Sequence, residues 1–314
     1  EFTVSMAQKI SGREDAGVLL SALTRKNAFV TRLPDGATYR FHHMMKACAE
    51  QAFSALPIER QRLYRDRYGR FYETGGQYLH ALSAYRKSGN FAALCRVVQE
   101  DAGILLASLD PSLVLEVLGR CPKEVLKEYP LAILVLMRSM FNWRQIPKML
   151  ELKALFSASM EEHPELPAEE RGNLLGECDL IQSFLFYNNI TEMSRLHRSA
   201  SEQMSRPSVS IRSQGGWTFG SPSVLMMFHR EPGGLKSELA EMDECMPHYY
   251  QITGGHGMGA QRIMEGEAAL ARGRLNDGAI ALERARAAIS GSGQENMALC
   301  CDFLAWRLSL CTSF

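Results

Sequence analysis

The chain has no excess of either charge: 35 Lys and Arg balance 35 Asp and Glu over 314 residues. A surface that grips nucleic acid needs a basic surplus to neutralise phosphates, so neutrality argues against one here. Long apolar runs are missing too. The strongest, 131–137, lies between Pro130 and Arg138, well short of the about 20 residues that span a bilayer. The start, Glu1-Phe2-Thr3-Val4, has neither the basic stretch nor the apolar core of a signal peptide. It also has no initiator Met, and a piece of a longer protein is expected. None of the eight cysteines forms a C-x-x-C pair, and most sit among apolar residues at helical spacing. Reduced, buried thiols in a cytoplasmic protein are therefore expected, with adjacent Cys300 and Cys301 turned to different helix faces. The G-x-x-x-x-G-K-[ST], H-E-x-x-H and G-x-S-x-G signatures and the EF-hand loop are all absent. No catalytic residue, no bound metal and no cofactor in this chain are expected.

What is present is helical. The one strand signal is Phe29-Val30-Thr31-Arg32-Leu33, then Pro34-Asp35-Gly36, then Thr38-Tyr39-Arg40-Phe41. The Pro-Asp-Gly triplet supplies the fixed φ and the glycine of a hairpin turn. A helix over 15–26, with Val18, Leu19, Ala22 and Leu23 on one face, precedes it, and a helix over about 42–55 follows. Residues 1–56 thus form the end of a winged-helix unit. From Pro57 on, helix follows helix: 59–73 stopping at Gly75-Gly76, 77–87 stopping at Gly89, 91–106, then a start at Asp110-Pro111 with Asp as cap and Pro in the first turn. Pro122, Pro130, Pro147, Pro164 and Pro167 continue the punctuation. Near the C-terminus, Gly266-x-x-Ala269, Gly273-Arg274-Leu275 and Gly278-x-x-x-Leu282-x-x-Ala285 make a degenerate tetratricopeptide-like unit, in which small residues let two helices cross closely. The expected fold is all-α: a tetratricopeptide-like helical superhelix over 57–314 behind a short winged-helix remnant with one β-hairpin.

Five patterns invite a chemical reading, each beside a plainer one. Gly255-His256-Gly257-Met258-Gly259-Ala260 satisfies G-x-G-x-x-A with Asp277 about 20 residues on, yet no buried strand precedes it. The plainer reading ends one helix at Gly254-Gly255 and starts the next at Ala260, leaving amides that could hold an anion. Cys245, His248 and His256 are metal-ligand types without a fourth member. Arg60, Arg62, Arg65, Arg67 and Arg70 interleave with Tyr64, Tyr68, Phe71 and Tyr72, but Glu59, Asp66 and Glu73 dilute the charge, and a solvated helix face is expected. His42 and His43 are expected on different helix faces. Finally, 215–257 collects Trp217, Phe219, His229, Arg230, His248, Tyr249, Tyr250 and His256, with a helix start at Ser221-Pro222. Aromatics with a few polar groups suit a small-ligand pocket, or equally the packing of a repeat junction. The Ser/Gly-rich approach, 199–216, reads as either a flexible loop or a helix of poor propensity.

Several stretches are similar to a known family. Leu19-Leu20-x-x-Leu23-x-x-x-Asn27-x-Phe29-Val30-x-x-Leu33 followed by Tyr39-Arg40-Phe41-His42-His43 resembles the winged-helix end of large LuxR-type, MalT-like bacterial transcription regulators, which are signal-transduction ATPases. The stretch 72–98, with Gly75 and Gly89-Asn90-Phe91, resembles the first helical repeats behind it, and 217–223 and 249–259 resemble further stretches of such regulators. The resemblance implies a P-loop ATPase, the winged helix, a superhelix that senses an inducer or regulatory partner, and a DNA-binding helix-turn-helix. This sequence has no P-loop and reaches Phe314 without a basic helix-turn-helix, so ATP and DNA binding would belong to the parent protein, as would any self-association.

The expected function is non-catalytic sensing. A small-molecule inducer or regulatory protein would bind in the superhelix groove. Trp217, Phe219, Tyr249 and Tyr250 would stack on a ligand; His229, Arg230 and His256 would meet its polar groups. Two alternatives stay open: a tetratricopeptide-type scaffold that grips extended protein segments, and an enzyme that uses the Gly255 loop to bind a nucleotide.

Overall fold

A computed structural model describes residues 1–104, 106–216, 221–229 and 232–312. The expected hairpin is present. Strands β2 (Val30–Arg32) and β3 (Thr38–Phe41) pair antiparallel with Val30 opposite Phe41 and Arg32 opposite Tyr39. The Gly36 amide donates to Leu33 O at 3.0 Å, at a φ of +66° that glycine tolerates. The Asp35 carboxylate accepts from the amides of Ala37 and Thr38, both at 3.0 Å, and so locks the turn. A third strand, β1 (Phe2–Thr3), adds to the free edge of β3. It makes the sheet more than one hairpin, and two residues are too few to leave a periodic signal. Helix α1 (Val4–Ser11) follows, capped by Thr3 and ended at Gly12; α2 (Ala16–Arg25) comes next. Leu20, Val30 and Tyr39 are buried, with Phe2, Val4 and Ala7 packed on them.

Helix α3 (His43–Ser54) then leads into α4 (Ile58–Thr74), α5 (Tyr78–Ser88), α6 (Phe91–Asp101), α7 (Pro111–Arg120) and α8 (Lys123–Lys127). Contrary to expectation, the rings of His42 and His43 face each other, their centroids 4.0 Å apart. Helices α4 and α5 approach closely at Gly69, where an added Cβ would lie 2.6 Å from the Tyr85 ring. The Tyr85 hydroxyl donates to Glu73 at 2.6 Å, and Arg96 holds the same carboxylate with two bonds of 2.7 and 2.9 Å. Two of the α4 arginines have structural partners: Arg67 donates to Ser11 O and Arg65 to Lys87 O, each at 2.9 Å. Helix α6 ends at Asp101 rather than 106, because Ala102 turns left-handed at a φ of +51°.

The chain divides into two units, Glu1–Ala132 and Ile133–Phe314. The division falls within α9 (Pro130–Asn142). The second unit continues with α10 (Ile146–Glu162), α11 (Ala168–Ser183), α12 (Ile190–Gln203), the short α13 (Val224–Phe228), α14 (Leu235–Thr253), α15 (Ala260–Ala271), α16 (Leu275–Ile289) and α17 (Glu295–Thr312). Sequence neighbours pack in turn: α11 on α12, α12 on α14, α14 on α15, α15 on α16 and α16 on α17. Met242, Cys245, Met246, Ile263, Met264, Met297 and Leu304 fill the space between them. The small residues of the C-terminal pattern act as expected. A Cβ on Gly266 would lie 3.4 Å from Gly278 O, and one on Gly278 would lie 3.4 Å from Gly266 O, so α15 and α16 cross backbone to backbone.

The fold is therefore all-α with a small winged-helix unit at its start: among the described residues, seventeen α-helices and one three-stranded sheet. No described helix is long and apolar enough to cross a membrane. Two local expectations need correction. Helix α13 is capped by Ser223, whose hydroxyl accepts from Met226 N at 3.1 Å, so Ser221-Pro222 precedes the helix instead of starting it. Within 199–216, α12 runs on to Gln203; beyond it, Met204, Ser208 and Ile211 are buried, so the segment is packed against the fold.

Candidate functional site

The long connection between α12 and α14 is fastened by two fully buried carboxylates. Glu177, on α11, accepts the amides of Val209 and Ser210 at 3.1 and 2.6 Å, with Arg206 3.6 Å away. Glu267, on α15, accepts the amide of Leu225 at 2.8 Å, and the Arg307 guanidinium lies 3.7 Å from its other oxygen. Burial raises the Glu267 carboxyl above its usual range, against these donors. Ser208 N adds a bond to Ile252 O at 2.8 Å, and the Gln294 side chain donates to Ser213 O while accepting from Gly257 N.

Beside this connection is a pocket lined by Arg138, Phe184, Tyr187, Met193, His197, Gly216, Met227, Phe228, Met246, Tyr249 and His256. Its inner space is about 30 Å³, and the hollow including its mouth about 430 Å³. The inner part holds one water-sized group. The walls are aromatic rings and methionines. The polar side chains come from five helices or turns.

Their hydrogen bonds settle which proton sits where. The Ser183 hydroxyl donates to Leu180 O at 2.7 Å and thereby uses its only proton. It must accept from His197 Nε2 at 2.9 Å, so Nε2 carries the ring hydrogen and Nδ1 presents a lone pair. That buried Nδ1 has no partner among the described residues. His256 Nε2 faces Gly215 O at 3.1 Å, and a carbonyl only accepts, so Nε2–H donates. The Tyr249 hydroxyl then donates to His256 Nδ1 at 2.6 Å. Both imidazoles are neutral. Burial pushes His197 down to about 3, helped by the charge of His248, and pushes His256 down to about 4, helped by Arg138.

Arg138 is the pocket's one charged group among the described lining residues. Its guanidinium lies 4.6 Å from the centroid of Phe184 and 5.7 Å from that of Phe141, and it donates to Asn142 Oδ1. Among the described residues it has no carboxylate partner. Burial holds its pKa below the usual guanidinium value.

The residues expected to bind a ligand separate in space. Tyr249 and His256 share the pocket. Tyr250, one position on, turns away: its hydroxyl donates to Gln261 and accepts from Gly259 N at 3.1 Å. That hydroxyl takes the place an anion would have had at the start of α15, and with Gln294 on Gly257 N the glycine loop has no anion site at those amides. His229 follows α13 and pairs through Nδ1 with Glu238, away from the lining. Trp217, Phe219 and Arg230 lie outside the described residues. Arg138, His197 and Ser183 were not anticipated. Arg138 did leave a signal, as the single charge in the otherwise uncharged α9 sequence PLAILVLMRSMFN. His197 left none, because nothing local says that its neighbour is Ser183.

Burial pushes the Cys178 and Cys245 thiols up to about 12 and that of Cys301 to about 11. Among the described residues no group of three or more His, Cys, Asp or Glu side chains could hold a metal ion.

Comparison with known proteins bears on the N-terminus. Residues 1–61 match the MalT winged helix domain. The match begins before β1 and ends in the first turn of α4, so it covers the sheet, α1, α2 and α3. The pocket lies outside it. No curated protein and no solved structure matches the chain.

Proposed function

We propose that this chain is the sensing and coupling region of a MalT-type transcription regulator of the LuxR kind, and that it is not an enzyme. One observation carries the reading: a MalT winged helix is joined, in the same chain, to a helical unit with an incompletely satisfied pocket. The second unit would be the tetratricopeptide-like superhelix of such a regulator, working in the cytoplasm, and the pocket would take its small-molecule inducer. ATP, DNA and any self-association would engage other parts of the parent protein. Binding changes the output only if the ligand favours one of two arrangements of the region. The pinned connection between α12 and α14 is the element best placed to have two, since Gly216 and α13 both line the pocket.

A second reading has one observation behind it. Leu299, Trp306 and Leu310 are exposed along one side of α17, with Trp306 at 56 %. Such a stripe suits a protein-binding scaffold or a regulatory protein partner. A thermal-shift screen of the whole chain against sugars, organic acids, amino acids, aromatic metabolites and nucleotides separates the two. A ligand at 100 times its Kd adds about 2.7 kcal/mol. A shift lost in His256→Gln supports the sensor. No shift with any compound refutes it in favour of the scaffold, and a shift with nucleotides alone reopens the enzyme.

A further inference from the structure

We propose that the Arg138 pocket takes a small 2-hydroxy monocarboxylate, its carboxylate on the guanidinium and its hydroxyl donating to His197 Nδ1. The proposal rests on reading the second unit as a ligand sensor, and names the ligand class.

Each part of the ligand answers one feature of the site. Arg138 is brought into an aromatic and methionine-lined pocket with one amide oxygen as its polar partner and, among the described residues, no counter-ion. A guanidinium has five donors in a planar fork that matches a carboxylate. The charge is single, because both histidines are neutral; one negative charge balances it and a phosphate dianion does not. His197 is 2 % exposed, and its Nδ1 lone pair has no donor. A ligand that fills the site must therefore give a hydrogen as well as accept several. The donor is a neutral hydroxyl and not an ammonium, because no acid among the described lining residues offsets a second positive charge beside Arg138. Size sets the rest. The hollow of about 430 Å³, with inner space for one water-sized group, limits the ligand to a few heavy atoms.

Titration calorimetry on the whole chain at pH 7, with glycolate and both enantiomers of lactate, tests this. Propionate lacks the hydroxyl, alanine replaces it with an ammonium, and glycerol lacks the charge. Glycolate or one lactate should bind at least about tenfold more tightly than propionate, the cost of leaving a buried acceptor unpaired. Alanine and glycerol should give no heat. Arg138→Gln should abolish binding. Ser183→Ala frees the His197 ring to move its hydrogen to Nδ1; it should shrink the preference for lactate over propionate. Equal binding of lactate and propionate, or of lactate to Arg138→Gln, overturns the proposal. So does a shift by unrelated compounds that disappears in His256→Gln, which leaves the sensor standing. Absence of any ligand across the thermal-shift screen overturns both.

Discussion

Mild acid should destabilise the second unit through its two buried histidines. His197 and His256 are held neutral in the fold, at about 3 and about 4, whereas an unfolded chain restores the usual value near 6.5. Between those limits the unfolded state binds protons that the folded state refuses. Stability therefore rises with pH in this window and is lost as pH falls below about 6.5. At about 1.4 kcal/mol per unit for each ring, going from pH 7 to pH 5 costs about 2 kcal/mol per histidine and about 4 kcal/mol for the pair. That is a large part of the 5–15 kcal/mol typical of a domain. Glu267 works the other way: burial raises its pKa, so its contribution is lost as pH rises through the raised value. It is the same in wild type and histidine variants and drops out of their difference. Urea titrations followed by tryptophan fluorescence read the right unit, since Trp143, Trp217 and Trp306 all belong to it. The loss between pH 7 and pH 5 should be about 2 kcal/mol smaller in His256→Gln than in wild type. An equal loss in both refutes the neutral, buried assignment.

Two further substitutions test the framework around the pocket, and a third tests a helix cap in the first unit. Glu177→Ala strips the amides of Val209 and Ser210 of their buried acceptor; each orphaned group costs about 1–3 kcal/mol, and protease cleavage within 204–216 should accelerate. Gly259→Ala places a Cβ 2.9 Å from Ile289 Cγ1 at a φ of +94°; overpacking and backbone strain of about 1–3 kcal/mol each should lower Tm by several degrees. In the first unit, Asp110→Ala removes the side chain that accepts from Ser112 N at 2.8 Å at the start of α7, and should cost about 1 kcal/mol in urea midpoint analysis.

Local chemistry made part of this fold legible. Pro34-Asp35-Gly36 marked the hairpin because each residue has its own work in the turn, and Asp110-Pro111 marked α7 because a cap and a first-turn proline act within three residues. Strand β1 was hidden, since its two residues are strands only by pairing with β3. The end of α6 was hidden because Ala102, not a glycine, takes the left-handed position. Ser221-Pro222 misled because Ser223, two residues on, captures the helix start. In the site, Tyr249 and His256 could be read together because they flank one glycine turn. Tyr250 could not be told from Tyr249 without knowing which face of α14 meets α12. The partnership of His197 with Ser183, and the entry of Arg138, depend on tertiary packing between distant helices.

Hydrogen exchange tests most directly the central claim, that the pocket and the α12–α14 connection form one responsive element. The amides of Ser208, Val209, Ser210 and Leu225 are held by Ile252 O, Glu177 and Glu267. Saturating the chain with the best stabiliser from the screen should change protection at these amides, while Leu20 and Val30 in the winged helix keep theirs. A stabilising ligand that leaves all four amides unchanged would contradict the account.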